Sequence, residues 1–158
     1  MDELTRKLYE TFLLFRKLHM SLLLPENLSK NEYFTLRCIE YLNKLENADG
    51  ADRHASISAL AKIMHVTTPA VSRTVSTLEE KGIILRRSDK NDRRNTYVEL
   101  TTQGKTLLQK AQAEMNNFFN QMVQDMDPKD LEQLIQYLTE IYENACAELE
   151  RKKQERKQ

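Results

Sequence analysis

A change of period inside a largely helical sequence constrains this chain more than any other feature. Between residues 57 and 81 apolar side chains recur every three or four positions. After Gly82 the pattern switches: Ile83-Ile84-Leu85-Arg86-Arg87 reads as a strand, and Thr96-Tyr97-Val98-Glu99-Leu100 alternates like a returning one. The charged stretch Ser88–Asn95 turns the chain between them, so residues 83–100 are expected to form a two-stranded hairpin. Two short helices come before it. Ser56 or Ser58 can cap the first, which places Leu60, Ala61, Ile63 and Met64 on its apolar face. After a break at His65-Val66-Thr67, Thr68 can cap the second and Pro69 takes its first helical position, where a missing N–H costs nothing. Val71, Val75 and Leu78 give this helix an inward face, and Gly82 can close it in a left-handed conformation.

The flanks read as longer helices. Leu4, Leu8, Phe12, Phe15, Leu18 and Leu22 form one stripe that Pro25 ends. Ser29 and Glu32 have capping-box spacing before Phe34, Leu36, Ile39, Tyr41, Leu42 and Leu45. Residues 46–55 are polar, contain Gly50 and read as a loop. Beyond the hairpin, a helix capped near Thr101 or Thr102 carries Leu107 through Met126, and Asp127-Pro128 opens another through Leu149. With only three Gly and three Pro in 158 residues, the expected class is mainly α with a small β-hairpin. The expected organisation is N-terminal helices at 1–45, a compact unit at 54–104 and C-terminal helices at 105–150. A basic tail at 151–158, with no apolar anchor, is expected to fray.

Equal numbers of basic and acidic residues, 24 each, give a net charge of zero, which averaged over the chain argues against nucleic-acid binding. By segment the charge is uneven. Residues 53–105 hold 10 basic and 5 acidic side chains, whereas residues 106–150 hold 2 and 9. No apolar run approaches the roughly 20 residues of a membrane span, and the Met1-Asp2-Glu3 opening does not read as a signal peptide. A cytoplasmic setting without membrane association is expected. Cys38 and Cys146 are far apart and offer no disulfide framework; Cys38, on an apolar helix, reads as an inert buried thiol. His19, His54 and His65 are isolated, which speaks against a metal site. No nucleophile–base pair or Gly-rich phosphate loop is present, so neither an enzyme nor a cofactor is expected.

Helix, short turn, helix, hairpin is the order of a winged helix-turn-helix. Its second helix can lie in a major groove about 12 Å wide, braced by the first, while the hairpin reaches a neighbouring minor groove. Such a unit needs small polar groups on the second helix, and Thr67, Thr68, Ser72, Arg73 and Ser76 supply them. It needs cations on the hairpin, and Arg86, Arg87, Lys90, Arg93 and Arg94 supply those. Lys62, Arg87, Lys90 and Lys105 fit nonspecific phosphate contact or plain surface. Ser56 and Ser58 can donate to phosphate or simply cap.

The run from Ile57 to Arg87 resembles the MarR family of bacterial transcriptional regulators. It includes Leu78-Glu79-Glu80-Lys81-Gly82-Ile83-Ile84-Leu85-Arg86, and Asp92-Arg93-Arg94 and Leu100-Thr101-Thr102-Gln103-Gly104 follow in order. This resemblance implies a homodimer that binds a palindromic double-stranded DNA operator, usually as a repressor, through interlocking terminal helices. It places Thr68, Pro69, Ser72 and Arg73 on the recognition helix and Arg94 at the wing tip in the minor groove. It also implies that Asp92 orients Arg94 and that Arg86 pairs with the wing aspartates. A small aromatic or phenolic ligand is implied too, with Phe12, Phe15, His19, Tyr33, Phe34, Arg37 and Tyr41 as candidate lining residues. The family's redox sensing uses a cysteine on the first helix, and no Cys precedes Cys38. The competing reading is a winged helix used for protein interaction without DNA binding, which would call for a wing without cations and an apolar recognition face.

Overall fold

The first helices take their ends from local hydrogen bonding. In the computed structural model, which describes residues 1–49, 55–88 and 96–156, Asp2 accepts from the Thr5 N–H and opens α1, Glu3–Phe15. Ser29 and Glu32 cap reciprocally: the Ser29 N–H donates to the Glu32 carboxylate at 2.8 Å and the Glu32 N–H to Ser29 Oγ at 3.3 Å. They open α2, Lys30–Asp49. Ser56 Oγ accepts from the Ala59 N–H to cap α3, Ile57–Met64. The remaining elements are α4 (Thr68–Glu80), β1 (Ile84–Ser88), β2 (Thr96–Leu100), α5 (Thr102–Val123) and α6 (Pro128–Glu155).

Two compact units result, Met1–Asn116 and Asn117–Gln158. The core of the first lies among α2, α3, α4, the hairpin and the first half of α5. Leu36, Ile39, Leu60, Val75, Leu78, Ile83, Ile84, Val98, Leu108 and Ala111 are sealed there. Each of its larger aliphatic side chains contributes about 1.5–3 kcal/mol by leaving water. β1 and β2 are antiparallel, with Ile84 opposite Leu100, Arg86 opposite Val98 and Ser88 opposite Thr96. The pleat therefore puts Arg86 on the face that carries Ile84, Val98 and Leu100. Ser56 bridges to Tyr97, and the Val98 N–H donates to the Ala55 carbonyl at 3.0 Å, fastening the entry to α3 onto β2.

In the second unit, Asp127 caps α6 by accepting from the Lys129 N–H at 2.8 Å, and Phe118 meets Phe119 edge to face. Phe119, Met122, Met126, Leu134, Ile135, Leu138, Tyr142 and Leu149 are exposed. In the first unit, α1 buries no residue, and Leu4, Leu8, Phe12 and Phe15 are exposed along it. Among the described residues, no helix is long and apolar enough to cross a membrane.

Several boundaries differ from the sequence expectation. The helix expected to reach Leu22 stops at Phe15, and Met20–Leu23 form a tight 3-10 turn. No Gly or Pro marks this break; the chain leaves the helix axis so that Leu24 and Leu28 can enter the core. α2 runs on to Asp49, through the polar residues that the sequence pattern reads as the start of a loop. Thr67, not Thr68, is the N-cap of α4, so Pro69 takes the second helical position, still within the turn whose N–H groups lack helical partners. The tail expected to fray is helical through Glu155. Arg151 pairs with Glu148 and Glu155, Lys152 with Glu148 and Lys153 with Glu150, and such pairs extend a helix without any apolar anchor.

Two glycines act for different reasons. Gly82, at φ +69°, turns the chain out of α4, and a Cβ there would meet nothing nearer than Gln103 Oε1 at 3.8 Å. Gly104, in the first turn of α5, sits against β1's entry: a Cβ would lie 2.0 Å from the Ile83 carbonyl oxygen. Gly82→Ala is expected to cost about 1–2 kcal/mol of backbone strain. Gly104→Ala is expected to cost more, about 3 kcal/mol, because backbone must move. Urea denaturation of the two variants checks the order.

Lys81 reaches from the end of α4 to the start of α2, donating to Glu32 Oε1 at 2.6 Å and to the Asn27 carbonyl at 3.0 Å. Burial alone would raise the Glu32 carboxyl, but the Lys81 ammonium and the Ser29 N–H and hydroxyl outweigh it and hold the pKa below its ordinary value. A depressed folded pKa stabilises the protein above the unfolded carboxylate value near pH 4.3, and that contribution is lost as pH falls through the folded pKa. Glu32→Gln is therefore expected to lower stability at pH 7 and to flatten its decline below about pH 4.3. Melting curves from pH 7 to pH 3 check this.

Candidate nucleic-acid interface

α4 is 13 residues long, about 20 Å at 1.5 Å per residue, and it has two distinct sides. Val71, Val75 and Leu78 are buried, holding the helix on the core. Thr68, Pro69, Ser72, Arg73 and Ser76 fall within an arc of about 140° at 100° per residue that begins beside Val75 and runs round to the outer side at Pro69 and Arg73. Thr67, Thr68, Pro69 and Arg73 are exposed, and Ser72 and Ser76 are half-buried. Thr67 makes no side-chain cap; Pro69 has no N–H, and the Ala70 and Val71 N–H groups donate to the Thr67 carbonyl, which leaves the Thr68 N–H beside two exposed threonine hydroxyls. The helix dipole adds a partial positive charge at this end.

The turn before it is tight. His65 adopts a left-handed conformation (φ 52°, ψ 39°), which ends α3 and redirects the chain through Val66 into α4. α3 then packs behind α4, as a brace for an exposed helix must.

Arg73 makes one long contact, Nε to the Pro69 carbonyl at 3.4 Å. It borders a cleft of about 260 Å³ with Ser29, Asn31, Glu32, Thr74 and Thr77, between the start of α2 and the outer side of α4. Arg86 is differently placed. Its Nη2 donates to Ser76 Oγ at 2.8 Å, and its Nε pairs with Glu79 Oε2 at 3.0 Å. Arg87, one residue on and on the other face of the pleat, pairs with Glu99 at 3.5 Å. Asp92, Arg93 and Arg94, with Lys90, lie outside the described residues. Glu79 stands two residues before the Lys81-Gly82 turn, within reach of a strand that starts at Ile84, which is the sequence signal for its role.

The residues named for a small ligand are dispersed over α1, α2 and the segment between them. Phe12, Phe15, Phe34 and Tyr41 are exposed, as are His19 and Arg37, while Tyr33 is buried and meets Phe34 edge to face at 5.6 Å. None lines the cleft beside Arg73, nor a second of about 310 Å³ bounded by Asn27, Thr102, Gln103, Thr106, Leu107 and Lys110. Cys38 is half-buried, and desolvation raises its thiol pKa despite the neighbouring Arg37. Among the described residues, no group of three or more His, Cys, Asp or Glu is placed to hold a metal ion.

Known proteins share this arrangement. A point mutant of MepR from S. aureus superposes with a TM-score of 0.67 at 22% identity, covering 89% of this chain and 97% of its own. The transcriptional regulator BldR from Sulfolobus solfataricus superposes at 0.65 with 25% identity, covering 91% and 99%. MepR in a complex with DNA superposes at 0.66 with 23% identity, covering 87% and 94%. These likenesses establish the fold across nearly the whole chain. The sequence model of the MarR family matches residues 28–96, from the capping turn of α2 to the start of the returning strand. The match takes in α2, α3, α4 and β1 of the winged helix-turn-helix, so over this stretch the chain is similar to the MarR family.

Proposed function

We propose that this chain is a sequence-specific DNA-binding transcriptional regulator, acting in the cytoplasm as a homodimeric repressor that a small-molecule ligand releases. The polar, exposed face of α4 carries this reading: an uncapped helix start, two threonines and Arg73 project from a helix whose other side is locked into the core. Thr67, Thr68 and Pro69 would meet the phosphate backbone, and Ser72 and Arg73 the base edges of a major groove. Arg94, oriented by Asp92, would enter the flanking minor groove with Arg93 beside the phosphates. The MepR–DNA complex supports the reading by its shared fold. The polar character of the face weighs against a protein-interaction module, and every role named here is one of binding rather than catalysis.

Homodimerisation accounts for the apolar side chains exposed along α1 and α6, which a second copy would cover. A ligand that is small and aromatic or phenolic suits the exposed rings of Phe12, Phe15, Phe34 and Tyr41, with His19 and Arg37 as polar partners.

A gel shift on the DNA upstream of the protein's own gene tests the proposal, and affinity should fall steeply with salt as condensed counterions are released. Arg73→Ala is expected to weaken operator binding by about 1–3 kcal/mol and to relax sequence preference. Equal binding of operator and unrelated duplex by the wild-type protein would overturn the reading.

A further inference from the structure

The wing strand holds a cation that the charge pattern alone would assign to DNA. The strand register places Arg86 on the core face of the hairpin, with Ile84, Val98 and Leu100, while Arg87 occupies the outer face. An inward arginine at this point cannot follow the aliphatic residues into the core, so its guanidinium runs along the side of α4. There it meets Ser76 Oγ at 2.8 Å and Glu79 Oε2 at 3.0 Å, two acceptors about one helical turn apart. The planar guanidinium spans both, fixing distance and orientation together, which a lysine's single ammonium cannot do.

We propose that Arg86 is a positioning residue for operator recognition: by bridging Ser76 and Glu79 it fixes the rotation of α4 about its own axis relative to the wing. The proposal rests on the DNA-binding reading and assigns Arg86 and Ser76, both counted among the DNA contacts by sequence, to this bridge instead. At the helix surface a roll of 20° displaces Arg73 by more than an ångström, given a helix radius of about 5 Å with side chains. Hydrogen bonds to base edges do not survive such a shift, while contacts to the phosphate backbone largely do. Loss of the bridge should then reduce discrimination between sequences more than total DNA affinity.

Glu79→Gln separates the two roles by sign. If Arg86 contacts DNA and Glu79 is a bystander, removing a negative charge beside the interface tightens binding to every duplex. If Glu79 anchors Arg86, the variant loses preference for its operator. The probes are a duplex selected from a random pool by the wild-type protein and an unrelated duplex of equal length, each titrated from 50 to 200 mM salt. Glu79→Gln and Arg86→Lys are both expected to lower the ratio of selected to unrelated affinity about tenfold, with the salt slope unchanged, since Arg86 neutralises no phosphate. An unchanged ratio in Glu79→Gln would overturn the proposal. So would a salt slope that falls by about 0.9 in Arg86→Gln, the mark of one lost phosphate contact. Exposed pairs like this one contribute little to stability, so melting temperatures near wild type are expected for all three variants. A wild-type protein that does not discriminate between the duplexes would instead overturn the DNA-binding reading on which the proposal stands.

Discussion

The close approach of α5 to the Ile83 carbonyl is the joint on which the rest of the DNA-facing geometry depends. Thr101 is central to it: its N–H donates to Ile83 O at 3.0 Å, and its hydroxyl lies within hydrogen-bond distance of the Gly82 and Ile83 carbonyls and accepts from the Gly104 N–H at 3.0 Å. Only glycine at 104 lets the first turn of α5 lie against that peptide. In one place the end of α4, the start of β1, the end of β2 and the start of α5 are tied together. In the proposed DNA-binding role α4 must keep its angle to the hairpin, and this joint holds that angle at the hairpin's base.

From that joint outward, α4 is held on three sides by different physics. Val71, Val75 and Leu78 fix it by burial, which is strong but indifferent to small rotations of the helix. Lys81 ties its C-terminal end to the capping turn of α2 through Glu32 and the Asn27 carbonyl. Arg86 grips its C-terminal half from the strand. Hydrogen bonds and ion pairs are directional where burial is not, so the two basic side chains supply the orientation that the apolar contacts leave undetermined.

Much of this was legible in the residues. The period switch at Gly82 located the hairpin, and Ser29–Glu32 and Asp127 marked helix starts that the hydrogen bonds bear out, while of Ser56 and Ser58 it is Ser56 that caps α3. The break after Phe15 was not legible, because it follows from Leu24 and Leu28 reaching a core that forms with distant residues, and nothing local signals it. The helical run to Glu155 has no apolar signal, because it rests on i,i+3 and i,i+4 ion pairs. For the candidate site, the exposed face of α4 followed from helical spacing alone. The partner of Arg86 did not: it depends on the register of the hairpin, and a shift by one residue would send the same side chain outward.

The same distinction changes the meaning of the zero net charge. The central segment's surplus of positive residues suggests a broad basic surface, yet its cations are not equivalent. Lys81 is committed to Glu32, Arg86 to Glu79, and Arg87 to Glu99. Each pair cancels locally and contributes architecture rather than field. Arg73, whose contact among the described residues is the long one to the Pro69 carbonyl, is the cation of α4 that the proposed function assigns to DNA. A protein that must find one site among many gains from few, well-placed cations, because every uncommitted charge strengthens binding to all sequences alike. Of the acids in these three pairs only Glu32 comes from outside the central segment, so the pairs fix where its cations sit more than they reduce its surplus, and in the proposed role that placement favours specificity.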